Sequence, residues 1–72
     1  MNNMGNITIT FYNFQNNKYI KQWYWLGVIP VVGDYVVLHF GDYNEEEATY
    51  KVMKRIINGL KSDSIDLYVL KV

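Results

Sequence analysis

Both ends of the chain alternate apolar with polar residues at a period of two. Residues 7–12 read Ile-Thr-Ile-Thr-Phe-Tyr, and in the run 65–72 the apolar residues Ile65, Leu67 and Val69 fall on one side. Successive side chains of a β-strand point to opposite faces, and β-branched and aromatic residues favour strands. The pattern therefore predicts that the first and last elements of this fold are half-buried strands.

Two more strands are predicted before residue 41. Asn16 and Asn17 tolerate the positive φ of a tight turn, so the run 18–26 is expected to form a hairpin with the first strand. Segment 27–34 holds two glycines and the single proline, which indicates a turn or an edge crossing and not a central strand. Segment 35–40 is largely apolar on both faces, so we expect a strand covered on both sides, by the barrel or by a partner.

The segment from Asn44 to Leu60 supports two alternatives. A helix at about 45–58 would be capped by Asn44, would begin with three glutamates and would end at Gly59, and its apolar residues share a helical face. A strand is favoured instead by the β-branched residues of the segment and by the Asn58-Gly59 dipeptide, which is typical of hairpin turns. Local pattern alone slightly favours the helix and hence an α+β fold.

A resemblance to a known kind of protein favours the strand. Three phrases carry it: Ile-Pro-Val-Val-Gly-Asp-Tyr-Val at 29–36, Tyr-Lys-Val-Met-Lys-Arg at 50–55 and Ile-Asp-Leu-Tyr-Val at 65–69. The chain resembles small uncharacterised bacterial and phage proteins that are five-stranded β-meanders of the SH3-like barrel kind. The resemblance implies an all-β fold in which a five-stranded meander closes into an SH3-like barrel. The resemblance transfers no catalytic or binding residue. Separately, the polar N-terminal residues predict a disordered leader at 1–5, and the length of 72 residues predicts one domain at 6–72.

Length and composition exclude several classes of protein. The 72 residues include no cysteine, which excludes disulfides, thiolate nucleophiles and the common structural zinc sites and makes a cytoplasmic location the simplest interpretation. The longest apolar stretch, 23–32, has ten residues against the roughly 20 needed to span a bilayer, so no membrane partner is expected. A core this small is marginal without staples, so we expect the chain to form a homo-oligomer.

The residues that could perform catalysis do not assemble in the sequence. The single histidine, His39, falls on the outward side of its predicted strand and is interpreted as a surface or interface residue. Residues 62–64, Ser-Asp-Ser, are typical of a turn. Oxygen ligands alternate from Asp42, but the glycine of a calcium loop is missing and Met53 stands where its bidentate glutamate belongs. We expect no enzyme activity, no cofactor and no metal.

The most unusual local feature is Trp23-Tyr24-Trp25, in which both tryptophans share one face of a strand. If this pair lies outward, it forms an aromatic platform that anchors a protein partner, and if it lies inward, it fills the core. We expect a non-catalytic protein-interaction module that self-associates through this surface or through an exposed strand edge. The candidate interaction residues are Tyr19, Lys21, Trp23, Trp25 and His39. The resemblance to phage proteins implies a gene of a phage or mobile element whose product acts on a host protein.

The alternative function is binding of single-stranded nucleic acid or of a nucleotide. The same aromatic side chains would stack on bases, and four cations would meet phosphate: Lys18, Lys21, Lys54 and Arg55. Affinity for a phosphate backbone rises with the number of cations presented, and here seven Lys and Arg residues only balance seven Asp and Glu residues. The alternative is therefore less favoured than a protein partner.

Overall fold

The described part of the protein forms five β-strands. The computed structural model describes residues 7–25, 27–60 and 63–72, and the strands are β1 (Ile7–Asn13), β2 (Tyr19–Trp25), β3 (Tyr35–Phe40), β4 (Glu46–Ile57) and β5 (Ser64–Lys71). No helix occurs in the described part of the chain, so the all-β prediction is confirmed. The helix considered at 45–58 is wrong, because pairing of β4 with two neighbouring strands outweighs the local preference. The leader expected at 1–5 lies outside the described residues.

All five strands belong to one sheet in the order β2-β1-β5-β4-β3. The hairpin β1–β2 and the consecutive strands β3, β4 and β5 pair antiparallel, and the two parts join where β1 pairs parallel with β5. The sheet curls into a half-barrel, which is consistent with a small SH3-like barrel. Strands β2 and β3 are its two edges.

The concave face of the sheet holds the hydrophobic core. Its buried apolar side chains come from four strands: Ile9, Phe11, Val36, Leu38, Val52, Ile65, Leu67 and Val69. The inward alternation predicted for the first and last strands is confirmed by these residues. We expected β3 to be covered on both faces, and the structure covers one of them. Val36 and Leu38 are buried, whereas Tyr35, Val37 and His39 are exposed.

Two β-bulges bend the sheet. In β2 the register shifts between the pairs Phe11–Lys21 and Tyr12–Tyr19, which leaves Ile20 as the extra residue. In β4 it shifts at Met53. An extra residue bends a strand and increases its twist, so both bulges contribute to the curl.

The turn before β3 attaches the start of that strand to β4. Asp34 N donates to Val31 O at 3.0 Å, and Val31 N donates to the Asp34 carboxylate at 2.9 Å. Gly33 occupies the third turn position with φ of +100°, a conformation that L side chains rarely adopt. Gly33 N also donates to Val52 O at 2.9 Å. The turn predicted within 27–34 is confirmed.

Candidate functional site

The two edge strands face each other across a gap, which we call the seam. Lys21 of β2 reaches across it: its ammonium donates to the His39 carbonyl oxygen of β3. The Lys21 Nζ atom also lies 5.0 Å from the ring centroid of Trp23 and 5.3 Å from that of Phe40. No Cα atom of β2 comes within 8 Å of a Cα atom of β3, whereas paired strands lie about 4.8 Å apart. A side chain therefore spans the seam, and no backbone pairing closes it.

Every second peptide group of β3 is directed into the seam. At the start of the strand, Val52 N donates to Asp34 O at 2.9 Å, which assigns residue 34 to the side of β4. Successive residues of a strand direct their N–H and C=O groups to opposite edges of the strand, so Val36, Leu38 and Phe40 also hydrogen-bond to β4. The N–H and C=O groups of the other three residues point to the free edge: Tyr35, Val37 and His39. The bond from Lys21 to the His39 carbonyl agrees with this assignment.

Two adjoining clefts follow the free edge of β3. The first has a volume of about 420 Å³ and lies between β2 and β3, with Trp23, Leu38 and Asn44 among its lining residues. The second, of about 360 Å³, continues toward Pro30 and Asp34. Both clefts are lined by Trp25 and Val37, so they lie side by side along the strand, and we call the pair the groove.

The two tryptophans have different roles. They pair with Ile7 and Ile9 of β1, so both lie on the concave face. Trp25 packs against the Phe11 ring with centroids 6.1 Å apart, and its Nε1 donates to Val28 O at 3.0 Å. Trp23 is 56% exposed at the mouth of the groove. Trp25 therefore belongs to the wall of the core, and Trp23 is available to a partner.

The remaining candidate interaction residues divide between two faces. His39 lines the groove, and its Nδ1 lies 3.9 Å from Glu47 Oε1 in an exposed contact that contributes little stability. Tyr19 lies on the convex face, where its ring meets Tyr12 with centroids 6.4 Å apart, because the extra residue Ile20 interrupts the alternation. The structure thus brings Lys21, Trp23, Trp25 and His39 together and separates Tyr19 from them.

Acidic side chains lie near both ends of β3. Asp34 lines the groove at one end of the strand, and Glu46 and Glu47 pair with Phe40 and His39 at the other. Segment 34–47 contains two Asp, three Glu and no Lys or Arg, a formal charge of −5. Among the described residues, no three His, Asp or Glu side chains come together as metal ligands. We call segment 34–47 the negative rim: its formal charge is −5, and its Asp34 is the acidic residue that lines the groove in the described chain.

The convex face carries an aromatic row that the sequence analysis missed. Tyr12 and Tyr68 stack with centroids 5.1 Å apart, and Lys54 Nζ lies 4.4 Å from the Tyr68 centroid. Since β5 lies between β1 and β4, Tyr12 and Lys54 approach the Tyr68 ring from opposite sides. Burial, followed by the charge of Asp66, raises the pKa of the Tyr12 phenol above its ordinary value. Only the register of the parallel β1–β5 pair reveals this row, because residues 56 positions apart in the chain form it.

The four cations of the nucleic-acid alternative do not share one surface. Lys21 lies in the seam and Lys54 on the convex face. Lys18 follows the β1–β2 turn, and Arg55 pairs with the core residue Leu67 on the opposite side of β4 from Lys54. The rings of the convex row are engaged with one another and with Lys54. The structure therefore offers no surface that combines these four cations with a free aromatic platform.

No protein family, curated protein or solved structure matches this chain. The resemblance to small bacterial and phage proteins therefore stays a prediction. In the described part of the chain, no helix has the length and apolar character needed to cross a membrane.

Proposed function

We propose that this protein is a non-catalytic interaction module that binds a partner protein in the seam. The observation that carries the proposal is the free edge of β3, where three residues direct peptide groups into a groove that Trp23 flanks. An exposed edge of this kind is a template for an added strand, in which main-chain hydrogen bonds supply affinity and side-chain pockets supply specificity.

The energies available at this site suit a specific complex. Each main-chain hydrogen bond contributes about 0.5–1.5 kcal/mol net, and Tyr35, Val37 and His39 offer several such groups. A tryptophan that becomes buried in an interface often contributes about 2 kcal/mol or more, and Trp23 has more than half of its surface available for burial. The two contributions lie side by side, so one bound segment would gain from both.

The setting that we propose follows the sequence interpretation. The module acts in the cytoplasm, is encoded by a phage or mobile element, and binds a host protein. Self-association is part of the proposal, because residues at the two edges are exposed and apolar: Tyr24, Tyr35 and Val37. Analytical ultracentrifugation over a wide concentration range tests this part, and a monomer at all concentrations contradicts it.

A displayed library of random 12-residue peptides tests the binding function. Peptides selected on the wild-type protein are measured against Val37→Pro, which removes a seam-directed N–H, and against Trp23→Ala. Val37→Thr is the matched control, because it keeps the N–H and the β-branched shape at an exposed position. We expect both test variants to lose at least tenfold in affinity. Val37→Thr changes a side chain that lines the groove but keeps the N–H, so we expect it to lose clearly less than Val37→Pro.

Two results would contradict the proposal. The first is failure of the library to yield any binder, and the second is binding that all three variants leave unchanged. The same proteins are also titrated with a 15-nucleotide thymidine oligomer at low and at physiological salt. Tight oligomer binding that weakens steeply with salt, together with absent peptide binding, would favour the nucleic-acid alternative.

A further inference from the structure

We infer that the partner enters the seam as one free extended segment of alternating apolar and basic residues, which pairs with β2 and β3 at once and completes the barrel. This inference rests on the proposed function and specifies the occupant of the groove. It is carried by the width of the seam, by the peptide groups on both of its sides, and by the charge around it.

The contact of Lys21 with the His39 carbonyl limits the width of the seam. An extended lysine side chain spans about 6 Å from Cα to Nζ, a hydrogen bond adds about 3 Å, and a carbonyl oxygen lies about 2.4 Å from its own Cα. The two Cα atoms are therefore at most about 12 Å apart, and they are more than 8 Å apart. One inserted strand requires about 9.6 Å, which is twice the strand spacing, and two require about 14 Å. The range of 8 to about 12 Å at this pair includes the spacing for one inserted strand and excludes the spacing for two.

Strand β2 also directs peptide groups into the seam. Thr8 N donates to Asp63 O at 2.8 Å and Phe14 N donates to Val69 O at 2.9 Å, so the even-numbered residues of β1 bond to β5. The odd-numbered residues of β1 then form their backbone hydrogen bonds with Lys21, Trp23 and Trp25 of β2. The N–H and C=O groups of the residues between them, Gln22 and Tyr24, therefore point to the free edge. An inserted segment would find hydrogen-bonding partners on both sides.

The geometry also decides what kind of chain can enter. Edges β2 and β3 run antiparallel to each other, so the segment is parallel to one and antiparallel to the other, as β1 already is between β5 and β2. An edge strand of a folded sheet, including that of a second copy of this chain, would bring its own neighbouring strand into a gap that has no room for it. The occupant is therefore a terminus or a loop in extended form.

The side chains around the seam specify the composition of the segment. One of its faces would meet the concave wall formed by Trp23, Leu38 and Phe40, which suits apolar residues. The negative rim, segment 34–47 with a charge of −5, suits cations in the alternate positions and in the flanks. Lys21 is the one Lys or Arg residue that lines the groove in the described chain. A backbone N–H of the segment replaces its hydrogen bond to His39.

Two peptides of seven residues, blocked at both ends, test the inference. The first is Lys-Val-Lys-Ile-Lys-Val-Lys, and the second carries glutamate in place of each lysine. Affinity is measured by titration calorimetry, and amide hydrogen exchange of the protein is followed by NMR with the basic peptide bound. We expect the acidic peptide to bind at least tenfold more weakly. We expect exchange to slow at least tenfold on both edges, at Gln22 and Tyr24 as well as at Tyr35, Val37 and His39.

Each other outcome separates this inference from the proposed function. Slower exchange on β3 alone would overturn closure of the barrel and leave strand addition standing. Equal affinity for the two peptides would overturn the predicted charge of the occupant. If library-selected peptides bind at the seam but the basic peptide does not, the occupant is wrong and the proposed function stands. If neither kind of peptide binds, both fail.

Discussion

Proline substitutions at two neighbouring valines of β3 test which peptide groups face the seam. Val36 is paired with Tyr50 and directs its N–H toward β4, whereas the N–H of Val37 points to the free edge. Val36→Pro therefore deletes a hydrogen bond of the sheet and leaves the Tyr50 carbonyl without its donor. Val37→Pro deletes no hydrogen bond within the chain, and proline is tolerated on edge strands in this orientation.

The expected cost differs strongly between the two variants. An unsatisfied carbonyl together with the lost ladder bond costs about 2–4 kcal/mol, whereas the altered φ at residue 37 costs about 1 kcal/mol or less. A domain of 72 residues has a free energy of unfolding of roughly 4–11 kcal/mol, so Val36→Pro removes a large part of it. With an m-value of about 1 kcal/mol per molar urea, the unfolding midpoint shifts by about 2–4 M for Val36→Pro and by less than about 1 M for Val37→Pro.

Urea denaturation followed by tryptophan fluorescence measures both shifts. Val36→Ala is the control for core packing, because it removes part of a buried side chain and keeps the N–H, at a cost of about 2 kcal/mol. Equal destabilisation by the two prolines, or a larger effect of Val37→Pro, would refute the assignment of the edge groups and with it the template for strand addition.

Burial raises the pKa of the Tyr12 phenol above 10, so the stability that the neutral phenol contributes is fully present below pH 10 and is lost as the pH rises through the raised pKa. Tyr12→Phe should therefore lose less stability than the wild type between pH 9 and 11, as measured by urea denaturation. Gly33→Ala should lower the free energy of unfolding by about 1–2 kcal/mol, because residue 33 has a positive φ. Gly59→Ala should change it by no more than about 0.5 kcal/mol, because Gly59 has open space around it and no positive φ. Equal thermal stability of the two variants would contradict this. In the double variant Lys21→Cys/His39→Cys, both thiols should remain reduced in an oxidising buffer. A disulfide requires Cα atoms no more than about 7 Å apart, and these two are more than 8 Å apart. Rapid disulfide formation, measured by a thiol assay, would show that the seam closes.

Local sequence patterns were sufficient to predict most of the strands. Period-two alternation and β-branched residues predicted β1 and β5, and Gly33 together with Pro30 predicted the turn before β3. These signals depend on the preferences of a few neighbouring residues, so they can be recognised without the rest of the fold. The same local signals failed for β4, where capping residues and a helical apolar face compete with strand propensity.

The candidate site depended on long-range pairing. The sequence grouped Tyr19 with Lys21, Trp23 and Trp25 by simple alternation, and the single extra residue Ile20 moved Tyr19 to the other face. Nothing local distinguishes a strand with a bulge from one without, because the partner strand determines where the extra residue is accommodated.

By itself, the sequence determined that the chain forms strands, where most of them turn, and that it carries one histidine and no cysteine. The tertiary structure decided that β1 pairs with β5, that β2 and β3 are left as facing edges, and that Trp25 packs against the core while Trp23 is exposed. The physical reason is that propensity and alternation act between neighbours in the chain. Strand order, register and the width of the seam arise from contacts between residues that lie far apart in it.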